Sequence, residues 1–238
     1  KRKEIDYLKI IRFNKKFSAL TAEDFIKKIL IGHFNVSSIV IGDDFRFGKN
    51  RKGDIRLLEK YSDKGFFNLI CLEKLKLGID TLSSSKIRNF LLSGQIEKCN
   101  RLLGYKWEVT GKVVKGKAKG RELGFPTANL TYSYQISPAN GVYACWVKIE
   151  NESKWRKAAI SSGTRPQYNG VEKILEVHLL NYNGNLYQKR LRVAFVQKIR
   201  SELVFETESK LIEQMKLDCN KIKIILENNK IMKNNESN

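Results

Sequence analysis

The chain has 238 residues, 42% hydrophobic and 29% charged, enough for one large domain or two ordinary ones and too apolar for global disorder. Its 45 Lys and Arg against 25 Asp and Glu leave a net charge of +20, divided evenly between residues 1–110 and 111–238. Spread charge of this kind fits anionic ligands and says little about fold, while the longest apolar runs, at Ser38–Ile41 and Ile222–Leu226, exclude a spanning helix, which needs ~20 apolar residues.

The basic start Lys1-Arg2-Lys3-Glu4 is followed by no apolar stretch, so it is not a signal peptide. The missing initial Met reads as truncation of a longer product. Thr21-Ala22-Glu23-Asp24 predicts a helix cap, with Phe25, Ile26, Ile29 and Leu30 on one face. Ser37–Ile41 predicts a buried parallel-type strand ending at Gly42. Asp54 caps a predicted helix to Lys64 with Ile55, Leu57, Leu58 and Tyr61 as its apolar stripe. Phe66–Leu72 reads as the next strand, and Ser83-Ser84-Ser85 opens a helix carrying Ile87, Phe90 and Leu91. Gly94 breaks that helix before a shorter one from Gln95 to Leu103. Alternation of this kind implies a layered α/β domain with ligands at the carboxyl ends of its strands, where Gly42–Gly48 and Ser83–Arg88 lie.

From Trp107 the pattern changes. Strands are predicted at Trp107–Val114, Gly141–Ile149, Ala158–Ser161, Ile174–Leu180 and Leu191–Val196, separated by turn signals such as Asn183-Gly184-Asn185. Many short strands with regular turns imply a small closed antiparallel β-barrel. A helix from about Thr207 to Asn228 offers Leu211, Ile212, Met215, Leu217, Ile222 and Leu226 for packing onto it. The expected domains are residues 1–105 and 106–230, with a polar tail at 231–238. Cys71, Cys99, Cys145 and Cys219 lack metal-finger or CxxC spacing and read as reduced, mostly buried thiols of a cytoplasmic protein. His33 and His178, the only histidines, are too few for a His-rich metal site.

The segment Gly111–Leu130 carries the chemistry. Gly116, Gly120 and Gly124 recur every fourth residue among Lys112, Lys115, Lys117, Lys119 and Arg121, a loop whose backbone N–H groups can approach phosphates closely. It is not a P-loop, because no Gly-Lys-Ser or Gly-Lys-Thr closes it. Thr127 and Asn129 are two residues apart, which on an extended strand puts a hydroxyl and an amide on one face as weak Mg²⁺ ligands. Phosphoryl transfer to an alcohol also wants a carboxylate near the hydroxyl. Glu176, in the otherwise apolar run Leu175–Leu179, is that candidate. His178 shares its parity and reads as a packed or solvent-edge imidazole.

These pieces, Gly120–Leu130, Asn140–Ala144, Gly163–Pro166, Leu175–Leu180 and Ile199–Phe205, resemble the bacterial bifunctional riboflavin kinase/FMN adenylyltransferase family. The resemblance implies an incomplete Rossmann-like nucleotidyltransferase α/β domain, then a riboflavin kinase-like barrel with a C-terminal helix. It implies ATP, Mg²⁺ and flavins (riboflavin, FMN, FAD) as cofactors, substrates and products. Thr127 and Asn129 would hold Mg²⁺ and ATP phosphates, assisted by Gly116, Lys119, Gly120 and Gly124. Glu176 would be the base acting on the ribityl 5′-hydroxyl. Arg165 and Arg200 are flavin-side candidates, and Asp44, Phe45, Arg46, Ser84, Ser85 and Arg88 a residual adenylyltransferase site. The family's Gly-x-Phe-Asp-Gly-x-His-x-x-His-like ATP site has no counterpart here, so FMN formation is expected without adenylylation to FAD. Asn181, Gln188 and Ser85 replace the usual Asp, Gly and Thr. The residues by themselves leave open a related kinase with another polyol substrate. They also leave open a basic barrel binding single-stranded nucleic acid through Tyr132, Tyr134, Trp146 and Trp155.

Overall fold

The computed structural model describes residues 5–73, 76, 77, 80–116, 119–133, 135–167 and 170–229, with the backbone alone at 76, 77, 80, 81, 119, 164–167 and 170–173. They form two units, residues 1–81 and 82–238.

In the first unit, the short helix α1 (Lys15–Ser18) precedes α2 (Ala22–Asp24), which continues as a π-helical turn over Phe25–Ile31. Thr21 caps α2 as its sequence predicts, its hydroxyl accepting from the backbone N–H of Asp24 at 3.0 Å. Strand β1 (Ser38–Gly42) pairs in parallel with β2 (Asn68–Leu72), and α3 (Ile55–Ser62) runs between them under an Asp54 cap. Ile26, Ile41, Leu58, Tyr61 and Phe67 form the core. The expected burial of β1 on both faces is not observed: Ile41 is buried while Val40 is 57% exposed. The core residues lie on one face of the sheet only, so the strand alternates. Two short strands, β3 (Lys76–Leu77) and β4 (Asp80–Thr81), close the unit.

The second unit begins with α4 (Ser84–Leu92), capped by the Ser83 hydroxyl, and α5 (Ile96–Leu103), which ends on left-handed Gly104. Next come β5 (Glu108–Val114), α6 (Lys119–Glu122), β6 (Ala128–Thr131), β7 (Gly141–Ile149), β8 (Trp155–Gln167), β9 (Gly170–Leu179), β10 (Arg190–Arg200) and α7 (Glu208–Asn228). The six strands close into a barrel in the order β10-β5-β6-β9-β8-β7. Period-two alternation sends Val109, Val113, Leu130, Tyr143, Cys145, Ile160, Leu175, Val177, Val193 and Phe195 inward. Leu91, Ile96 and Cys99 of α4 and α5 are buried in the same core. The packing division therefore falls at Thr81/Leu82, ahead of the expected boundary near residue 105. The chain's four cysteines are free, Cys99 and Cys145 buried and Cys71 exposed. Burial pushes the Cys99 thiol up to about 11 and that of Cys145 well above its ordinary range, so both stay protonated at neutral pH.

Helix α7 packs Ile222 and Leu226 against Ala144, Leu180 and Val196 on the outer wall, while Leu217, expected to face the barrel, is 57% exposed. The buried position is the neighbouring Asp218, 7% exposed at its side chain, which pairs with Arg200 at 2.9 Å. Gln214 donates a further hydrogen bond to Asp218 at 2.9 Å. Asp218→Ala leaves the Arg200 guanidinium with the Ser201 carbonyl in place of its carboxylate partner and should destabilise the unit by about 2 kcal/mol, less than a fully buried pair because Arg200 is partly solvated. Thermal melting should then move down by about 4–8 °C. An unchanged melting point would show that the pair contributes nothing to α7 docking.

Candidate active site

The pairing of β6 with β9 sets Asn129 directly opposite Glu176. Their neighbours Leu130, Leu175 and Val177 point into the core, so Asn129 and Glu176 share the outer face of the barrel. Directly opposed residues of an antiparallel pair bring their Cβ atoms within about 4.5–5.5 Å. On its other flank Glu176 faces Ser161 of β8. Thr127 lies just before β6 with the same parity as Asn129. The sequence places β6 only as an extended or edge segment, whereas the structure makes it an interior member of the closed sheet between β5 and β9.

The glycine-rich segment lies against this pair. A Cβ built on Gly116 would overlap the side-chain amide nitrogen of Asn129 and sit 2.8 Å from its Cγ. At Gly120 a Cβ would sit 2.5 Å from the Phe125 carbonyl oxygen and 3.0 Å from the Thr127 hydroxyl. Both glycines are thus required by close approach. Asn129 is 6% exposed. The turn that follows is closed by hydrogen bonds from Phe125 N–H to Gly120 O (2.7 Å) and from Gly124 N–H to Arg121 O (3.1 Å).

A cleft of about 480 Å³ opens beside Thr127. Its floor is the mouth of the barrel, Val113, Ala128, Val177 and Leu179, and its walls are Arg121, Pro126 and the loop Tyr182–Tyr187. Thr127 stands at the lip, shared by the cleft and the outer face, while Asn129 and Glu176 do not line the cleft. Sequence reasoning registers the 182–187 loop only as a turn. Its role is visible in Asn183-Gly184-Asn185 solely once the barrel closes and brings it beside Thr127. Gln188, where the resemblance leads one to expect Gly, holds φ +66°, and Asn181 holds φ +57°. A turn forms at Tyr187–Gln188 even without the glycine, at a backbone cost of about 1 kcal/mol for the left-handed Gln188.

The other candidates are placed elsewhere. Arg200 donates to Asp218 and lies at the α7 contact. The side chains of Arg165 and Lys119 lie outside the described residues. In the first unit, Asp44, Phe45 and Arg46 follow β1 at its carboxyl end, with Phe45 stacked on Phe47 at 5.5 Å. Ser84, Ser85 and Arg88 occupy exposed positions on α4 of the second unit.

A hydroxyl and an amide oxygen are hard, neutral donors that suit Mg²⁺ and not a thiophilic metal. Among the described residues no group of three His, Cys, Asp or Glu side chains could hold a metal ion. Mg²⁺ at Thr127 and Asn129 would therefore depend on the oxygens of a polyphosphate, and the side-chain-free Gly116 and Gly120 leave room for this pair. The donor set fits the metal.

The closed barrel unit is that of a flavokinase: residues 103–226 match the riboflavin kinase family model, and residues 1–86 match that of FAD synthetase. The chain is 41% identical over 226 residues to the bifunctional riboflavin kinase/FMN adenylyltransferase of Buchnera aphidicola subsp. Schizaphis graminum, covering 92% of this chain and 71% of that protein. Against the protein of the same name from Escherichia coli K12 it is 37% identical, covering 90% and 68%. A Streptococcus pneumoniae crystal structure described as a macrolide-efflux protein superposes with a TM-score of 0.82 at 29% identity, covering 93% of this chain and 71% of that one. The chain belongs to the bifunctional riboflavin kinase/FMN adenylyltransferase family. Among the described residues no helix is long and apolar enough to cross a membrane.

Proposed function

We propose that the barrel unit transfers the γ-phosphoryl group of ATP to the ribityl 5′-hydroxyl of riboflavin, giving FMN and ADP, and that the chain thereby serves FMN and FAD biosynthesis. The observation that carries this reading is the register that sets Glu176 opposite Asn129, beside Thr127. Glu176 orients the 5′-hydroxyl and takes its proton as the new O–P bond forms and the β,γ-bridging oxygen leaves with ADP. Thr127 and Asn129 would hold Mg²⁺, which when bound neutralises triphosphate charge. The glycine segment, free of side chains where it meets these two, lets backbone N–H groups reach phosphate oxygens, and Arg121 adds a cation at the cleft. We assign the kinase to residues 106–230 and an adenylyltransferase-related role to the segment before it, with the loop after β1 as a flavin-side element. Reaction in the cytoplasm accords with the use of ATP and with four free cysteines.

Of the aromatic residues of the nucleic-acid reading, Tyr134 lies outside the described residues, and two of the others are engaged within the unit. Trp146 packs with α7 and its Nε1 donates to the Asn229 carbonyl, and the Tyr132 hydroxyl donates to Ser137. Incubation of the protein with riboflavin, ATP and Mg²⁺ should yield FMN by chromatography, and chelation with EDTA should stop it. A ligand present at 100 times its Kd should also raise stability by ~2.7 kcal/mol. Absence of FMN, together with oligonucleotide binding that falls steeply with salt, would overturn the assignment.

A further inference from the structure

We infer that His178 is a positioning residue for Thr127: it holds the peptide leading into that residue through a hydrogen bond from Nδ1 to the Pro126 carbonyl. This rests on the kinase reading above and adds a residue to it.

His178 follows Glu176 by two positions on β9, so both side chains leave the strand on the same face. Its Nδ1 lies 2.9 Å from the carbonyl oxygen of Pro126, on a segment 52 residues away in sequence. A carbonyl only accepts, so Nδ1 carries the proton. The imidazole also meets the Phe125 ring edge-on, with centroids 5.5 Å apart at 63°. Phe125 in turn donates its N–H to Gly120, the residue on which the Thr127 hydroxyl rests. A continuous set of contacts therefore runs from the strand of the proposed base to the proposed metal ligand.

Pro126 has its φ set by its own ring. Its ψ, which aims the carbonyl and so the following peptide plane, is the remaining free rotation, and the His178 bond restrains it. The same carbonyl belongs to the peptide that carries the Thr127 N–H, so its rotation swings the Thr127 hydroxyl relative to Asn129. Displacements of about 1 Å at a reacting centre can lower rates by about 10²-fold. A histidine serving only to fill space would have no need to address one carbonyl.

The test compares His178→Phe, which keeps a ring against Phe125 but has no donor, with His178→Asn, whose amide nitrogen can replace Nδ1. Binding of a non-hydrolysable ATP analogue with Mg²⁺ is measured by calorimetry, riboflavin binding by fluorescence, and the Mg²⁺ dependence of turnover in parallel. His178→Phe should weaken analogue binding by about 5–10-fold and raise the Mg²⁺ needed for half-maximal turnover similarly. Riboflavin affinity should stay within about twofold, and His178→Asn should stay within about twofold of wild type throughout. If His178→Phe does not fold, His178→Leu takes its place in the comparison. Wild-type analogue affinity in the donor-less variant overturns the inference. So does an equal loss of riboflavin and nucleotide affinity in both variants, which marks a packing role. A wild-type chain that makes no FMN defeats the kinase reading itself, whereas FMN formation with unaltered metal–nucleotide binding in the variant defeats only the role of His178.

Discussion

Glu176→Gln should lower kcat for FMN formation by about 10²–10⁴-fold while leaving the KM values for riboflavin and ATP within a few-fold. The substitution is isosteric and keeps a hydrogen-bonding oxygen, so strand β9 retains its register with Asn129 on one side and Ser161 on the other. What disappears is the ability to take a proton from the attacking hydroxyl, an interaction made in the transition state. Uniform loss of kcat and kcat/KM is the signature of such a group. Glu176 is only half-buried, so melting temperature should change little. Steady-state kinetics at saturating ATP, Mg²⁺ and riboflavin decide the matter. Unchanged turnover would remove Glu176 from the chemistry and leave the phosphate-binding half of the site without a base.

The second large effect is expected from one methyl group. Gly116→Ala places a carbon where the Asn129 amide already lies. Asn129 is buried and sits in the middle of β6, with neighbours on both β5 and β9, so it cannot step aside cheaply. The glycine segment must lift, or the amide must leave its rotamer at a cost of about 0.5–1.5 kcal/mol. Either movement separates the backbone donors from Thr127 and Asn129, the proposed metal ligands. We expect kcat/KM for ATP to fall by about 10–100-fold, with riboflavin affinity preserved and the barrel still folded. Nucleotide titration and a thermal melt on the same sample distinguish this from general destabilisation. A Gly116→Ala protein with wild-type ATP kinetics would show that the close approach has no bearing on phosphate binding.

Both predictions depend on information of two kinds. Local chemistry was legible along the chain. Caps at Thr21, Asp54, Ser83 and Thr207 form where a short polar side chain precedes an apolar period. Strand β7 spans Gly141–Ile149 as its sequence predicts. The glycine spacing, the Thr127–Asn129 pair and the carboxylate of Glu176 within an apolar run also announce themselves by residue type. Other features carry no local mark. Strand β6 has four residues, too few for a period to declare itself. Arg200 looks like any other arginine near a site until Asp218 of α7 takes its guanidinium. His178 reads as packing until the Pro126 carbonyl is found at its Nδ1.

By itself, then, the sequence determined the element types, the barrel class and the residues with the right functional groups, because these follow from side-chain chemistry and from periods of 3.6 and 2.0 within a few consecutive residues. Only the tertiary structure decided which of those residues meet. Barrel closure and strand register join positions far apart in the chain, and a slip of one residue would turn Glu176 inward and separate it from Asn129. That register is set by the packed interior of Leu130, Leu175 and Val177, whose burial holds the Glu176 carboxylate on the outer wall.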